Sequence, residues 1–277
     1  MSWGSSTKVA VGGGAGLIPN ASFPVMSCYC DATNRFVLAF PDSVASAGKC
    51  VVGKTAGINS TGAPTFGAFS DINGGDETQN LNMVYDHNRD KVVFLYKDEG
   101  NSNKGTASVG TVDAANLTIS LGSETVFNNE LTERIGAAYD VGNKCIAVAY
   151  RENGNGYGEA IIGKITSGGT GIAFSASGGT FTRTDSVSAM SLAFDARNGL
   201  FFAVTRVGSG FLGYDGDSYL LRNSEVNNFF AVGTNFVGFA VDGLVPESYT
   251  SPITVGCCGT VGSFTTQTLV PGQRYYL

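Results

Sequence analysis

The sequence predicts an all-β chain: a small β-propeller of four or five blades, built from four-stranded repeats of about 54 residues. Three observations predict it. One short element returns four times at nearly equal spacing. The segments around it are short runs rich in Val, Ile, Phe, Tyr and Thr, separated by Gly and Asn clusters, as strands and turns require. No stretch shows the i, i+3, i+4, i+7 apolar pattern of an amphipathic helix.

The first element reads CYCDATNRFVLAF at 28–40, MVYDHNRDKVVFLY at 83–96, AAYDVGNKCIAVAY at 137–150 and LAFDARNGLFFAV at 192–204. Its anchors are Asp31, Asp86, Asp140 and Asp195, spaced by 55, 54 and 55 residues. A degenerate fifth copy is GFAVD at 238–242, at the shorter spacing of 47. Each anchor follows an aromatic strand end and precedes a polar, Asn-containing link. Asp and Asn side chains bond backbone amides in tight turns, so the four aspartates are expected as hairpin anchors rather than as a ring of ligands.

A second element follows each anchor: KCVVGK at 49–54, TASVGTV at 106–112, EAIIGKI at 159–165 and, more weakly, SYLLR at 218–222. Gly53, Gly110 and Gly163 within it read as points of close packing or bulges. A third element is LTISLGSETVF at 117–127, matched by GIAFSASGGTF at 171–181 and, loosely, by APTFGAF at 63–69. Together they give about four strands per unit, the content of one propeller blade. The strand at 8–11 is expected to complete the last blade. Residues 1–234 are assigned to the propeller repeats, and 235–277 to a divergent last blade or a C-terminal β module.

Composition narrows the function. The chain has 277 residues, 17 basic against 23 acidic, a net charge of −6 and a pI near 4.8. That excludes the basic stripe of a nucleic-acid binder and a charge-driven hold on anionic lipid. The N-terminus lacks a basic start followed by an apolar run of signal length, and no run approaches the roughly 18 apolar residues of a membrane span. Synthesis in a cytoplasm is expected, with Asn20, Asn59 and Asn116 unglycosylated. The cysteines Cys28, Cys30, Cys50, Cys145, Cys257 and Cys258 form no C-x-x-C pair and have one histidine, His87, among them. Free buried thiols are expected, and neither a metal nor a cofactor.

No phosphate loop or Gly-x-Ser-x-Gly elbow is present. His87 sits in the polar link after Asp86, where the other copies have Ala32, Val141 and Ala196, and reads as a surface turn residue. The candidate ligand-binding residues lie in two matching loops: Asp98, Glu99 and Asn101 in KDEGN at 97–101, and Arg151, Glu152, Asn153 and Asn155 in RENGN at 151–155. They mix acid, base, amide and glycine, a composition that suits sugar hydroxyls and equally a solvated turn. Asp98, Glu99 and Glu152 are the carboxylates open to glycoside chemistry, which needs two facing one cleft. The sequence names no such pair.

The unit from Tyr139-Asp140 through Tyr150-Arg151-Glu152-Asn153-Gly154-Asn155 to Gly163 resembles repeats of tail-fibre and other virion structural proteins of tailed bacteriophages. The stretch 85–112 matches well, and 30–53 and 194–222 have drifted. The end, LVPGQRYYL at 269–277, is similar to a module that often follows such repeats, although there the strand leads into a further one. The resemblance implies a virion protein made in the host cytoplasm, with other virion proteins and a host-surface glycan or receptor as partners. It also implies homo-oligomers, often trimers, and carries over no catalytic residue.

The leading expectation is therefore a non-enzymatic tail or fibre component involved in host attachment. Beside it stand a free lectin-like, carbohydrate-binding propeller, a capsid decoration or filament subunit, and a glycan-degrading enzyme. The lectin would need one matching pocket per blade. The enzyme would need the missing carboxylate pair.

Overall fold

The computed structural model describes residues 25–42, 47–57, 63–154, 156–175, 179–182, 187–207, 215–223 and 229–231. The expected strand at 8–11, Asn155, the fifth copy at 238–242, the 235–277 module, Cys257 and Cys258 lie outside the described residues.

The described chain is all-β and forms four consecutive four-stranded antiparallel units. Unit 1 is β1 (Met26–Cys30), β2 (Arg35–Pro41), β3 (Gly48–Lys54) and β4 (Thr65–Asp71). Unit 2 is β5 (Thr78–Asp86), β6 (Lys91–Asp98), β7 (Lys104–Asp113) and an outer edge shared by β8 (Thr118–Leu121) and the start of β9 (Thr125–Asp140). The second half of β9 becomes the inner strand of unit 3, followed by β10 (Cys145–Glu152), β11 (Gly158–Ile165) and an outer edge split between β12 (Ile172–Phe174) and β13 (Gly179–Thr182). Unit 4 is β14 (Val187–Asp195), β15 (Leu200–Val207), β16 (Asp215–Asn223) and β17 (Phe229–Ala231). The inner strands pack in turn: β5 against β1 and β9, and β9 against β14. This is a propeller-like arrangement.

Period-two alternation explains how the units stack. On β6, Val92, Phe94 and Tyr96 enter a core shared with Val37, Ala39 and Val52 of unit 1. The intervening Val93 and Leu95 enter the next core, with Ile146, Val148 and Tyr150 of β10. Cys145, Ala147 and Ala149, on the other face of β10, pack with Phe201 and Ala203 of unit 4. A sheet buried on both faces reads as a continuous apolar run, which is why the β6 and β10 sequences lack a polar side. Each fully buried Phe or Leu contributes about 1.5–3 kcal/mol, so the junctions hold the units in order.

Each anchor aspartate closes the turn between the first two strands of its unit. Asp140 Oδ1 accepts the amides of Gly142 and Asn143 at 2.9 Å each, and Oδ2 accepts Asn143 Nδ2 at 2.7 Å. Asp195 repeats all three bonds with Arg197 and Asn198. Asp86 keeps the two amide bonds, to Asn88 and Arg89, whereas Asp31 accepts the amide of Ala32. The last turn residue is left-handed in every copy, with φ of 50° at Asn34, 54° at Asp90, 53° at Lys144 and 65° at Gly199. The recurring glycine of the third strand faces a packed side chain: a Cβ on Gly53 would lie 2.3 Å from Phe36, on Gly110 2.6 Å from Ile119, and on Gly163 2.7 Å from Phe174.

Candidate functional site

The turns between second and third strands lie at the end of each unit opposite the anchor aspartates, and they carry the residues singled out from the sequence. In unit 2, Asp98 is buried and braces its own turn. Its Oδ1 accepts Asn73 Nδ2 at 3.0 Å and the Asn101 amide at 3.1 Å. Glu99 pairs with Lys97 at 3.0 Å, and Asn101 is exposed. In unit 3, Arg151 Nη1 donates to Glu133 Oε2 at 3.2 Å, and exposed Asn153 donates its amide to the Leu131 carbonyl at 2.9 Å. The Thr132 amide in turn donates to the Asn103 carbonyl at 3.0 Å. The start of β9 thus stitches the two turns together. It does not bring their side chains into one pocket: Asp98 shares the β6 face that packs on unit 1, whereas Glu152 shares the β10 face that packs on unit 2.

Glu152 meets a residue absent from the sequence-derived set. In the β10–β11–β13 ladder, Tyr150, Glu159 and Thr180 are directly opposite one another. Side chains in such a row share a face. The Tyr150 hydroxyl donates to Glu159 Oε2 at 3.3 Å and the Thr180 hydroxyl to Oε1 at 3.4 Å. Two residues along β10 from Tyr150, Glu152 lies on the same face, and its charge bears on the same carboxyl. Burial, first, and the charge of Glu152, second, hold Glu159 above the usual carboxylate range, against the opposing pull of the two hydroxyls. Burial and the charge of Glu159 likewise push the Tyr150 phenol up, so it stays a neutral donor.

Tyr150 and Glu159 line a groove of about 470 Å³ between units 2 and 3. One wall is the start of β9, with Thr125, Phe127 and Asn128. The other holds Tyr150, Glu159 and Phe174. Phe127 packs on Tyr150 and Phe174 with ring centroids 5.3 and 5.5 Å apart. The groove therefore joins aromatic side chains, amide and hydroxyl groups, and the Glu159 carboxyl. The equivalent row in unit 2 is Tyr96, Thr106 and Val126, which has no acid. Glu124, outside that row, is raised by burial and then by Asp98.

Elsewhere, His87 Nδ1 lies 3.1 Å from Asp31 Oδ2 and edge-on to Tyr85, linking the anchor turns of units 1 and 2 while half exposed. Cys28, Cys30, Cys50 and Cys145 are free thiols, and burial followed by the Asp71 charge pushes Cys50 up to about 12. Among the described residues, no group of three or more His, Cys, Asp or Glu is placed to hold a metal.

No family model and no curated protein matches the chain. Solved structures similar to it are family 43 glycoside hydrolases. One is a β-1,3-galactosidase with galactodeoxynojirimycin, at 10% identity and a TM-score of 0.46, covering 74% of this chain and 73% of that one. A second is an exo-β-1,3-galactanase from Phanerochaete chrysosporium with galactose, at 14% and 0.46, covering 78% and 51%. A third is an endo-1,4-β-xylanase from Bacteroides thetaiotaomicron, at 10% and 0.44, covering 76% and 75%. The chain spans about half the length of the galactanase. At these values no activity is carried over to this chain. The expectation of a non-enzymatic tail or fibre component nevertheless requires correction, and with it the lectin, decoration and filament readings. The similar structures are hydrolases rather than tail fibres.

Proposed function

We propose that the chain is a carbohydrate-processing enzyme that cleaves a glycosidic bond in the groove between units 2 and 3. The observation that carries this reading is the Glu159 carboxyl, held by the Tyr150 and Thr180 hydroxyls in an open groove that Phe127 and Phe174 also line. A carboxyl whose pKa is raised holds its proton to higher pH and can serve as a general acid. Glu159 gives its proton to the leaving oxygen as the glycosidic bond breaks, water adds to the sugar carbon and releases a proton to solvent, and the charge of Glu152 keeps the acid raised. Phe127 and Phe174 offer an apolar surface to a sugar ring, while Thr125 and Asn128 offer polar groups to its hydroxyls.

The test is release of reducing ends from a panel of polysaccharides and oligosaccharides. Glu159→Gln is expected to lower the rate by about a hundredfold or more while the fold is kept. No release from any member of the panel, or full activity in Glu159→Gln, overturns the reading.

The four described units are proposed as part of a closed five-unit ring. On unit 1, Phe40 and Val51 form a separate apolar cluster that contains no residue of another described unit. On unit 4, Val204 is 40% exposed. Both faces call for a further unit. A density map at a resolution that shows strands would count it, and a ring closed by four units would refute this count.

A further inference from the structure

We infer that the groove selects neutral saccharides and rejects those carrying carboxylate or sulfate groups. This deepens the saccharide reading above and rests on it. Among the described residues, the groove lining contains no Lys, Arg or His. Its polar lining apart from Tyr150 and Glu159 is neutral: Thr125, Asn128, Asn129 and Ser175. Its one acid, Glu159, is backed by Glu152.

The nearby cations are turned away or already paired. Arg151 follows Tyr150 on β10 and so points to the opposite face, where it is bound to Glu133. Lys164 on β11 shares the face of Ala160 and Ile162, which pack toward unit 4. Lys97 is buried against Glu99. An anionic sugar would therefore place its charge against Glu159, with no counter-charge among the described residues, in a partly desolvated groove where like charges repel most strongly. Specificity of this kind comes from a repulsive element as much as from attractive contacts. A neutral ring meets only hydroxyls, amides and aromatic surface.

The experiment measures binding of the intact chain to neutral polysaccharides in three forms: unmodified, carboxymethylated, and hydroxyethylated as a neutral control of similar bulk. Carboxymethylation is expected to weaken binding about tenfold or more at low salt, and hydroxyethylation to leave it within about threefold. High salt should narrow the gap. The double variant Glu152→Gln, Glu159→Gln should bind the carboxymethylated form as well as the hydroxyethylated one. Equal binding of charged and neutral forms by the unaltered chain, at low salt, overturns charge selection alone. Failure of every unmodified polysaccharide to bind overturns the saccharide reading and this inference together.

Discussion

The carbonyl oxygen of Leu117 occupies the place where a side chain on Gly67 would begin: a Cβ there would lie 1.8 Å from it. Gly67 is in the outer strand of unit 1, and Leu117 is the left-handed last residue of a turn in unit 2, with φ of 54°. The contact recurs one unit later, where a Cβ on Gly122 would lie 1.7 Å from the Thr170 carbonyl oxygen. Arg35 reinforces the first junction by donating Nε and Nη2 to the Ala114 carbonyl at 3.1 and 2.8 Å. Backbone oxygens fixed in turns cannot retreat as a side chain can. Gly67→Ala and Gly122→Ala are each expected to cost about 1–3 kcal/mol by forcing the outer edges apart. Gly168→Ala, which meets only the Thr170 hydroxyl at 4.0 Å, should stay within about 0.5 kcal/mol. Denaturant unfolding of the three variants checks the order, and equal stabilities would remove the carbonyl contact as a determinant of spacing.

The anchor aspartates should differ in value although the sequence repeats them. Asp86 and Asp140 are about 1% exposed, and each accepts two backbone amides. Removing either carboxylate breaks part-buried bonds that hold the turn, so Asp140→Ala and Asp86→Ala should each cost about 1–2 kcal/mol. Asp31 and Asp195 sit in solvent, where water replaces the lost bonds, and their alanine variants should lose less. Thermal melts of the four single variants should rank Asp86 and Asp140 as the costly pair.

The strands and turns were legible because they depend on local chemistry. Alternation along β6 and β10 gives strands buried on both faces, and Asp with Asn in each polar link gives the hairpins. The split outer edge was not legible. LTISLGSETVF at 117–127 reads as one strand, but β8 ends at Leu121 and β9 starts at Thr125, with Gly122 placed where the neighbouring turn presses in. Nor does a repeat show that β9 leaves one sheet and enters the next, since that depends on the packing of two units. Glu159 was passed over because it lies inside a strand, whereas candidate ligands were sought in loops. Its signal was a carboxylate opening an otherwise apolar strand, at a position held by Lys49 and Thr106 in the other copies. Only the register that places Tyr150, Glu159 and Thr180 in one row turns that oddity into a site.

The junction core should respond to lost volume on the face it serves. Phe94 is fully buried in the core shared with unit 1, and its truncation to Ala should cost about 3–5 kcal/mol. Val141→Ala, at a turn position 55% exposed, should cost well under about 1 kcal/mol. Urea unfolding midpoints for the two variants separate these cases, and a similar shift in both would contradict the assignment of Phe94 to a packed junction.

The pH dependence of stability has two limbs of opposite sign. The Glu159 carboxyl is raised by burial and then by Glu152, so the fold prefers its protonated form. Its contribution is present in full below the carboxyl's unfolded pKa and is lost as pH rises through the folded value. Asp195 and Asp113 are lowered, first by the side-chain amides of Asn198 and Asn116. Asp31 is lowered first by His87. Their contributions are present above the unfolded aspartate pKa and are lost as pH falls through the folded values. Glu159→Gln removes the first limb and leaves the second. The melting temperature of the variant relative to wild type should therefore be independent of pH below about pH 3, where glutamate is neutral in both states, and should climb as pH rises above that range. In activity, Glu152→Gln takes away the neighbouring charge that raises Glu159. The upper limb of the pH–rate profile set by the general acid should then move to lower pH, an effect that a purely structural role for Glu152 would not produce. If melting curves of Glu159→Gln and wild type run parallel across the whole range, the fold does not hold Glu159 in its protonated form, and its assignment as the acid falls with it.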